Sequence, residues 1–215
     1  MIRAIIFDMD GVLINSEHLH TKAWGEMLRK YSGATLTAAE KAKYIGRSAE
    51  YLARILVQKY RMNISAEQLI RDKTKRYLEL SRHLAPNKTL KLQLARLRKD
   101  YKIAVASSGR KDVVHAILTR LGIKRLFPVI VTASHVKQAK PSPEIFLKAA
   151  KALHVKPENC VVIEDATNGV IAAKRAGMRC IALRTDFASQ DFALADAVAS
   201  SLHQALRVIG KWEKS

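Results

Sequence analysis

The chain has 215 residues, 48% hydrophobic and 27% charged, a globular balance that excludes disorder as the default. This length can bury enough apolar surface to fold without disulfides or structural metal, as one large domain or as a core with a smaller insert. The 38 Lys and Arg against 19 Asp and Glu give a formal net charge of +19 and a pI near 10.2, so a partner drawn by charge is an anion.

The opening MIRAIIFDMDGV places a strand over residues 2–7. Its apolar run is too short to cross a membrane, and it lacks the charged flank, apolar length and cleavage site of a signal peptide, so a soluble protein is expected. Residues 16–83 show helical periodicity and no convincing strand, in HTKAWGEMLRKY, AEYLARILVQKY and AEQLIRDKTKRYLEL. The segment reads as an all-helical insertion with linkers near 14–16 and 84–88. Apolar, β-branched runs then recur at 103–106, 129–131, 161–163 and 181–183, the form of strands covered on both faces. Helical patterns separate them at 111–121, 143–153 and 169–176, with Pro143 suited to a first helical turn. Alternating strands and helices predict an α/β doubly wound parallel sheet. Cys160 and Cys180 each begin an apolar run and read as buried, reduced thiols, which fits a reducing cytoplasm.

The densest chemistry lies at the end of the first strand, in Phe7-Asp8-Met9-Asp10-Gly11. Acids two apart in extended chain share a side, and two like charges held close need a cation or a shared proton. An Asp pair capping a turn is the plainer alternative. A second acidic pair, Glu164-Asp165 in IEDATNG, follows another strand; alone it would read equally well as a helix N-cap. In open α/β sheets ligands sit beyond such strand ends. Acids meeting there would form an all-oxygen site suited to Mg²⁺ and not to zinc. Ser107 and Ser108, in ASSGRK, lead from a strand into a helix and could hold phosphate oxygens with backbone N–H groups. Lys140, in QAKPSPEIF, can place a cation over the site, although a solvated surface lysine would also fit.

DMDGVLINSE, VASSG, KPSPEIF and VIEDATNGVIAAKRAGM together resemble the four ordered motifs of the haloacid dehalogenase-like hydrolases. The resemblance spans nearly the whole chain and is nearest to the β-phosphoglucomutase-like phosphatases, which carry a helical cap. It implies a Rossmann-like core over residues 1–15 and 84–215 and a cap over 16–83. It also implies an aspartyl-phosphate on Asp8 as nucleophile, with Asp10 as acid and base. Ser107 would hold phosphate, with Ser108 beside it, and Lys140 would neutralise charge. The implied cofactor is Mg²⁺, held by Asp8, the backbone carbonyl of Asp10, and Asp165, with Glu164 a further candidate. Asp10 argues against dehalogenation, which has no alkoxide leaving group to protonate.

His20, in HLHTKAW, resembles a cap-helix histidine of the mutases, and Arg47, Arg110 and Lys111 are candidates for substrate contact. The mutases, however, carry an arginine close to where Ala49 stands here, which favours hydrolysis over isomerisation. The expected activity is therefore phosphatase action on a small sugar- or polyol-phosphate, with a phosphosugar mutase as the alternative. A monomer is expected, with no membrane partner. A nucleic-acid partner is not expected either, since no aromatic residues interleave the basic runs; a basic nucleic-acid-binding protein on this fold is the alternative of another class.

Overall fold

The computed structural model describes residues 1–37, 40, 48–185 and 190–214. They fall into two compact units, Met1–Asn15 with Ala85–Ser215, and Ser16–Leu84.

The first unit is built on six parallel strands: β1 (Ala4–Phe7), β2 (Lys102–Ser107), β3 (Val129–Thr132), β4 (Cys160–Glu164), β5 (Arg179–Leu183) and β6 (Ala197–Ala199). Their order across the sheet is β3-β2-β1-β4-β5-β6, so the winding reverses between β1 and β4. These two strands are buried along their whole length, as a parallel sheet covered on both faces requires. Side chains of alternate parity serve the two faces. Ala4, Ile6, Ala104, Ala106, Val162 and Cys180 join one core cluster with residues of α6 (Glu144–Leu153) and α7 (Thr167–Arg175). Outside that cluster, α4 (Lys88–Asp100) lies against β2, and α8 (Leu202–Trp212) against β5 and β6. α5 (Lys111–Arg120) connects β2 towards β3. Both cysteines are free and buried.

The predicted strands and helices of this unit appear within a residue or two at each end. Three features were not predicted: the C-terminal helix α8, the strand β6 and the helix α4. β6 is only Ala197-Val198-Ala199 with a single buried residue, too short for a periodic signal. KLQLARLRKDYK at 91–102 reads in sequence as a basic run, yet Lys88–Asp100 folds as α4. Leu90 and Leu94, four apart, turn into the core, and the Asn87 carboxamide oxygen accepts from Leu90 N–H at 3.0 Å to cap it.

The second unit is helical, with α1 (Glu17–Ser32), α2 (Ala49–Lys59) and α3 (Ala66–Leu80). Gly33, in the left-handed region, closes α1; the hydroxyls of Ser48 and Ser65 cap α2 and α3. Trp24, Met27, Leu28, Leu52, Leu56 and Leu69 form its core. Among the described residues no helix is long and apolar enough to cross a membrane.

Candidate active site

The winding reverses between β1 and β4, and there the first turns of chain beyond neighbouring strands must part, leaving a crevice at their C-terminal ends. Asp8 follows β1 immediately and is fixed to its neighbour, its N–H donating to Ile163 C=O at 2.9 Å. Ser107 ends β2, Glu164 ends β4, and Asp165 follows. Lys140 arrives from the segment before α6, through a cis peptide bond to Pro141. Its Nζ lies 2.6 Å from Asp8 Oδ1 and 2.6 Å from Glu164 Oε1, and donates to the Ala106 carbonyl at 3.3 Å. The ammonium also lies over the Phe146 ring, 4.9 Å from its centroid, and only 8% of the lysine side chain is exposed. Lys140 is therefore no surface lysine.

Glu164 is committed to structure. Its Oε1 takes Lys140, and its Oε2 accepts the N–H groups of Asp165 and Ala166 at 2.7 and 2.8 Å. It thus closes the start of α7 from one turn back, where the N-cap residue is Ala166 and supplies no side-chain bond. The carboxylate of Asp165 is pressed against the turn after β1. A Cβ on Gly11, whose φ is +79°, would fall 1.8 Å from Asp165 Oδ2. In the same way a Cβ on Gly169 would fall 1.8 Å from Glu164 Oε1.

Burial, opposed by the Lys140 ammonium and reinforced by Glu164 and Asp10, pushes the Asp8 carboxyl up to about 7. Burial, with Glu164 and Asp8, pushes Asp165 up to about 9. Burial would strip Lys140 of its proton, but Asp8 and Glu164 hold it above the ordinary lysine range, so the ammonium form stands. One ammonium thus faces four acids, Asp8, Asp10, Glu164 and Asp165, and negative charge is left over. Among the described residues no three His, Cys, Asp or Glu side chains form a ready metal cluster. The donor set still fits a hard, well-hydrated ion. Mg²⁺ is commonly held by one or two carboxylates plus waters, and buried Asp8 and half-buried Asp165 are two carboxylates whose charge a cation would stabilise.

The other expected site residues fall as follows. Ser107 is buried, its Oγ accepting from Gly109 N–H at 3.1 Å, while Ser108 is exposed. Asp10 is half-buried at the turn that Gly11 N–H closes on Ile14 C=O. Arg110 and Lys111 are exposed, and the Arg110 guanidinium is spent on Asp112 at 3.1 and 3.2 Å. Arg47 lies outside the described residues. In the helical unit, His20 stacks on Tyr77 with ring centroids 4.1 Å apart, and its Nδ1 lies 2.6 Å from Lys73 Nζ. Lys73 was not singled out in the sequence. It occupies the apolar stripe between Leu69 and Tyr77, and a lysine at a position that periodicity assigns to the core was the available signal. Gly169 also escaped notice, because its role is to leave room for an acid five residues earlier.

Residues 5–183 match the family described as haloacid dehalogenase-like hydrolase. The chain is 32% identical over 206 residues to validoxylamine A 7′-phosphate phosphatase of Streptomyces hygroscopicus subsp. limoneus, covering 94% of this chain and 95% of that protein. It is 32% identical over 184 residues to fructose-1-phosphate phosphatase YqaB of Escherichia coli, covering 84% and 95%. Among solved structures, β-phosphoglucomutase of Clostridium difficile superposes with a TM-score of 0.84 at 27% identity, over 100% of this chain and 98% of that one.

Proposed function

The chain belongs to the haloacid dehalogenase-like hydrolases, and from that premise we propose that it is a Mg²⁺-dependent phosphatase of small sugar- or polyol-phosphates. The observation that carries this reading is the Lys140 ammonium, held 2.6 Å from Asp8 at the reversal of the sheet. Phosphoryl transfer needs positioning and charge neutralisation more than elaborate covalent machinery, and this arrangement offers both.

In the proposed reaction a carboxylate oxygen of Asp8 bonds to phosphorus as the ester P–O bond breaks, giving an aspartyl-phosphate and a free alcohol. Asp10 gives its proton to the departing alkoxide. Water then attacks phosphorus, Asp10 takes a proton from it, the bond to Asp8 breaks, and inorganic phosphate leaves. Ser107 orients phosphate oxygens, and Lys140 favours the ionised form of Asp8 while offsetting phosphoryl charge. Glu164, tied to Lys140 and to two backbone amides, fixes the ammonium in place. Asp8, the Asp10 carbonyl and Asp165 would hold Mg²⁺, which supplies the positive charge that lets a phosphate dianion approach several carboxylates. Buried thiols suit a reducing compartment such as the cytoplasm; burial pushes Cys160 up to about 11 and Cys180 well above the usual thiol range.

The full-length likeness to a β-phosphoglucomutase supports a second reading, phosphosugar isomerisation by the same acids. A screen of phosphorylated metabolites with Mg²⁺ tests the first, with free phosphate as the expected product. Incubation with a hexose 1-phosphate and a trace of bisphosphate separates the two. Isomer without free phosphate would replace the phosphatase reading by the mutase.

A further inference from the structure

The excess of positive charge is unevenly spent. Arg76 is committed to Glu26 and Glu79, Lys174 to Asp196, Lys148 to Glu144 and Lys59 to Glu40. α4 is different. Lys88, Lys91, Arg96, Arg98 and Lys99 are all exposed around its outer side, with Asp100 the only acid on the helix. The short turn Lys124–Leu126 packs beside α4 and adds exposed Arg125 and half-buried Lys124. None of these seven cations makes an ion pair or a hydrogen bond among the described residues. Such a concentration of like charge opposes folding by self-repulsion, and a polyanion would relieve it.

The chemistry of this face narrows the polyanion. A membrane-surface helix buries an apolar face in the lipid boundary. Here the apolar side, Leu90 and Leu94, is already turned into the protein core, and Leu92 is the single large apolar side chain left outside. Single-stranded nucleic acid is held by stacking on aromatic rings, and α4 contains no aromatic residue. Duplex RNA is read through its 2′-hydroxyls, which asks for hydroxyl and amide groups where α4 mainly presents ammonium and guanidinium. Duplex DNA bound through phosphates alone asks only for cations. From Lys88 to Lys99 the helix runs about 16 Å, a length over which a duplex presents on the order of ten phosphate charges.

We propose that the outer face of α4, together with Lys124 and Arg125, docks the phosphate backbone of double-helical DNA without regard to sequence. The inference is independent of the phosphatase reading, because none of the seven cations belongs to the proposed reaction.

The test is a titration of the full-length protein with a short random-sequence DNA duplex at increasing NaCl, followed by fluorescence anisotropy. Binding is expected to weaken steeply with salt. The double variant Lys91→Gln/Arg98→Gln should lower the log–log salt slope by about 2 while leaving phosphate release unchanged. Lys151→Gln/Lys156→Gln removes the same charge from exposed positions on and just beyond α6, on the other side of the sheet, and should leave the slope as it is. Absence of salt-dependent duplex binding overturns the proposal, as does an equal loss in the control pair, which would mean diffuse charge and no docking face. Tighter binding to single-stranded DNA, to duplex RNA or to phosphatidylserine vesicles would equally overturn it.

Discussion

Two glycines that look interchangeable in sequence with any small residue are fixed by carboxylates. Glu164 cannot retreat from a methyl group on Gly169, because both its oxygens are held, one by Lys140 and one by two backbone amides. Gly169→Ala is therefore expected to lower the melting temperature and phosphate release together. Gly210, on the exposed side of α8 with nothing within 4 Å of a would-be Cβ, provides the contrast. Gly210→Ala should stabilise by about 0.5–1 kcal/mol, read from denaturant unfolding. At Asp8 the same kind of reasoning separates chemistry from packing. Asp8→Asn keeps the shape and leaves Lys140 paired with Glu164, so phosphate release should fall to background while the melting temperature holds or rises. Retained turnover would remove Asp8 from the nucleophile role.

At the scale of elements, the helical unit contains a carboxylate that ties separate stretches of chain together. Glu40 Oε1 accepts from Lys59 Nζ and Tyr60 Oη at 2.7 Å each, and Oε2 accepts from the N–H and hydroxyl of Thr37. The bonds from Lys59, Tyr60 and Thr37 pull its carboxyl down from 4.5 to about 2. A carboxyl that binds its proton less tightly when folded stabilises the fold in its ionised form. That stabilisation is complete above about 4.5 and is lost as pH falls towards about 2. Glu40→Gln should therefore be less stable than the parent at neutral pH, and the gap should close in thermal melts taken across that window. A constant gap would mean that Glu40 acts by packing alone.

For the molecule as a whole, the leftover negative charge of the site contrasts with the net charge of +19. A chelator should abolish turnover, and added Mg²⁺ should restore it, since without a metal ion a phosphate dianion meets a cluster of carboxylates of which Lys140 pairs only with Asp8 and Glu164 among the described residues. Full activity in the chelator would mean that Lys140 alone neutralises the substrate. The long-range field of the basic surface would also concentrate anionic substrates, so kcat/KM is expected to decline with ionic strength more than kcat does.

What the sequence determined by itself was the order of the chemistry. Apolar runs ending in acids and a serine, and a lysine set before a proline-led helix, can be read without coordinates, because parallel strands buried on both faces must be continuous in apolar residues, and their ends must turn. That pattern led to Asp8, Ser107, Lys140, Glu164 and Asp165, and to a helical stretch after the first strand. Tertiary structure alone decided how these groups divide the work. Whether Glu164 or Asp165 stays open to a cation depends on which one Lys140 and the backbone amides have already taken, and those partners come from distant parts of the chain. The same holds for Gly169, for Lys73 in a stripe of core residues, and for α4, whose five exposed cations read in sequence only as a basic run. Burial and partner choice are set by residues far apart in sequence, and local periodicity carries no record of them.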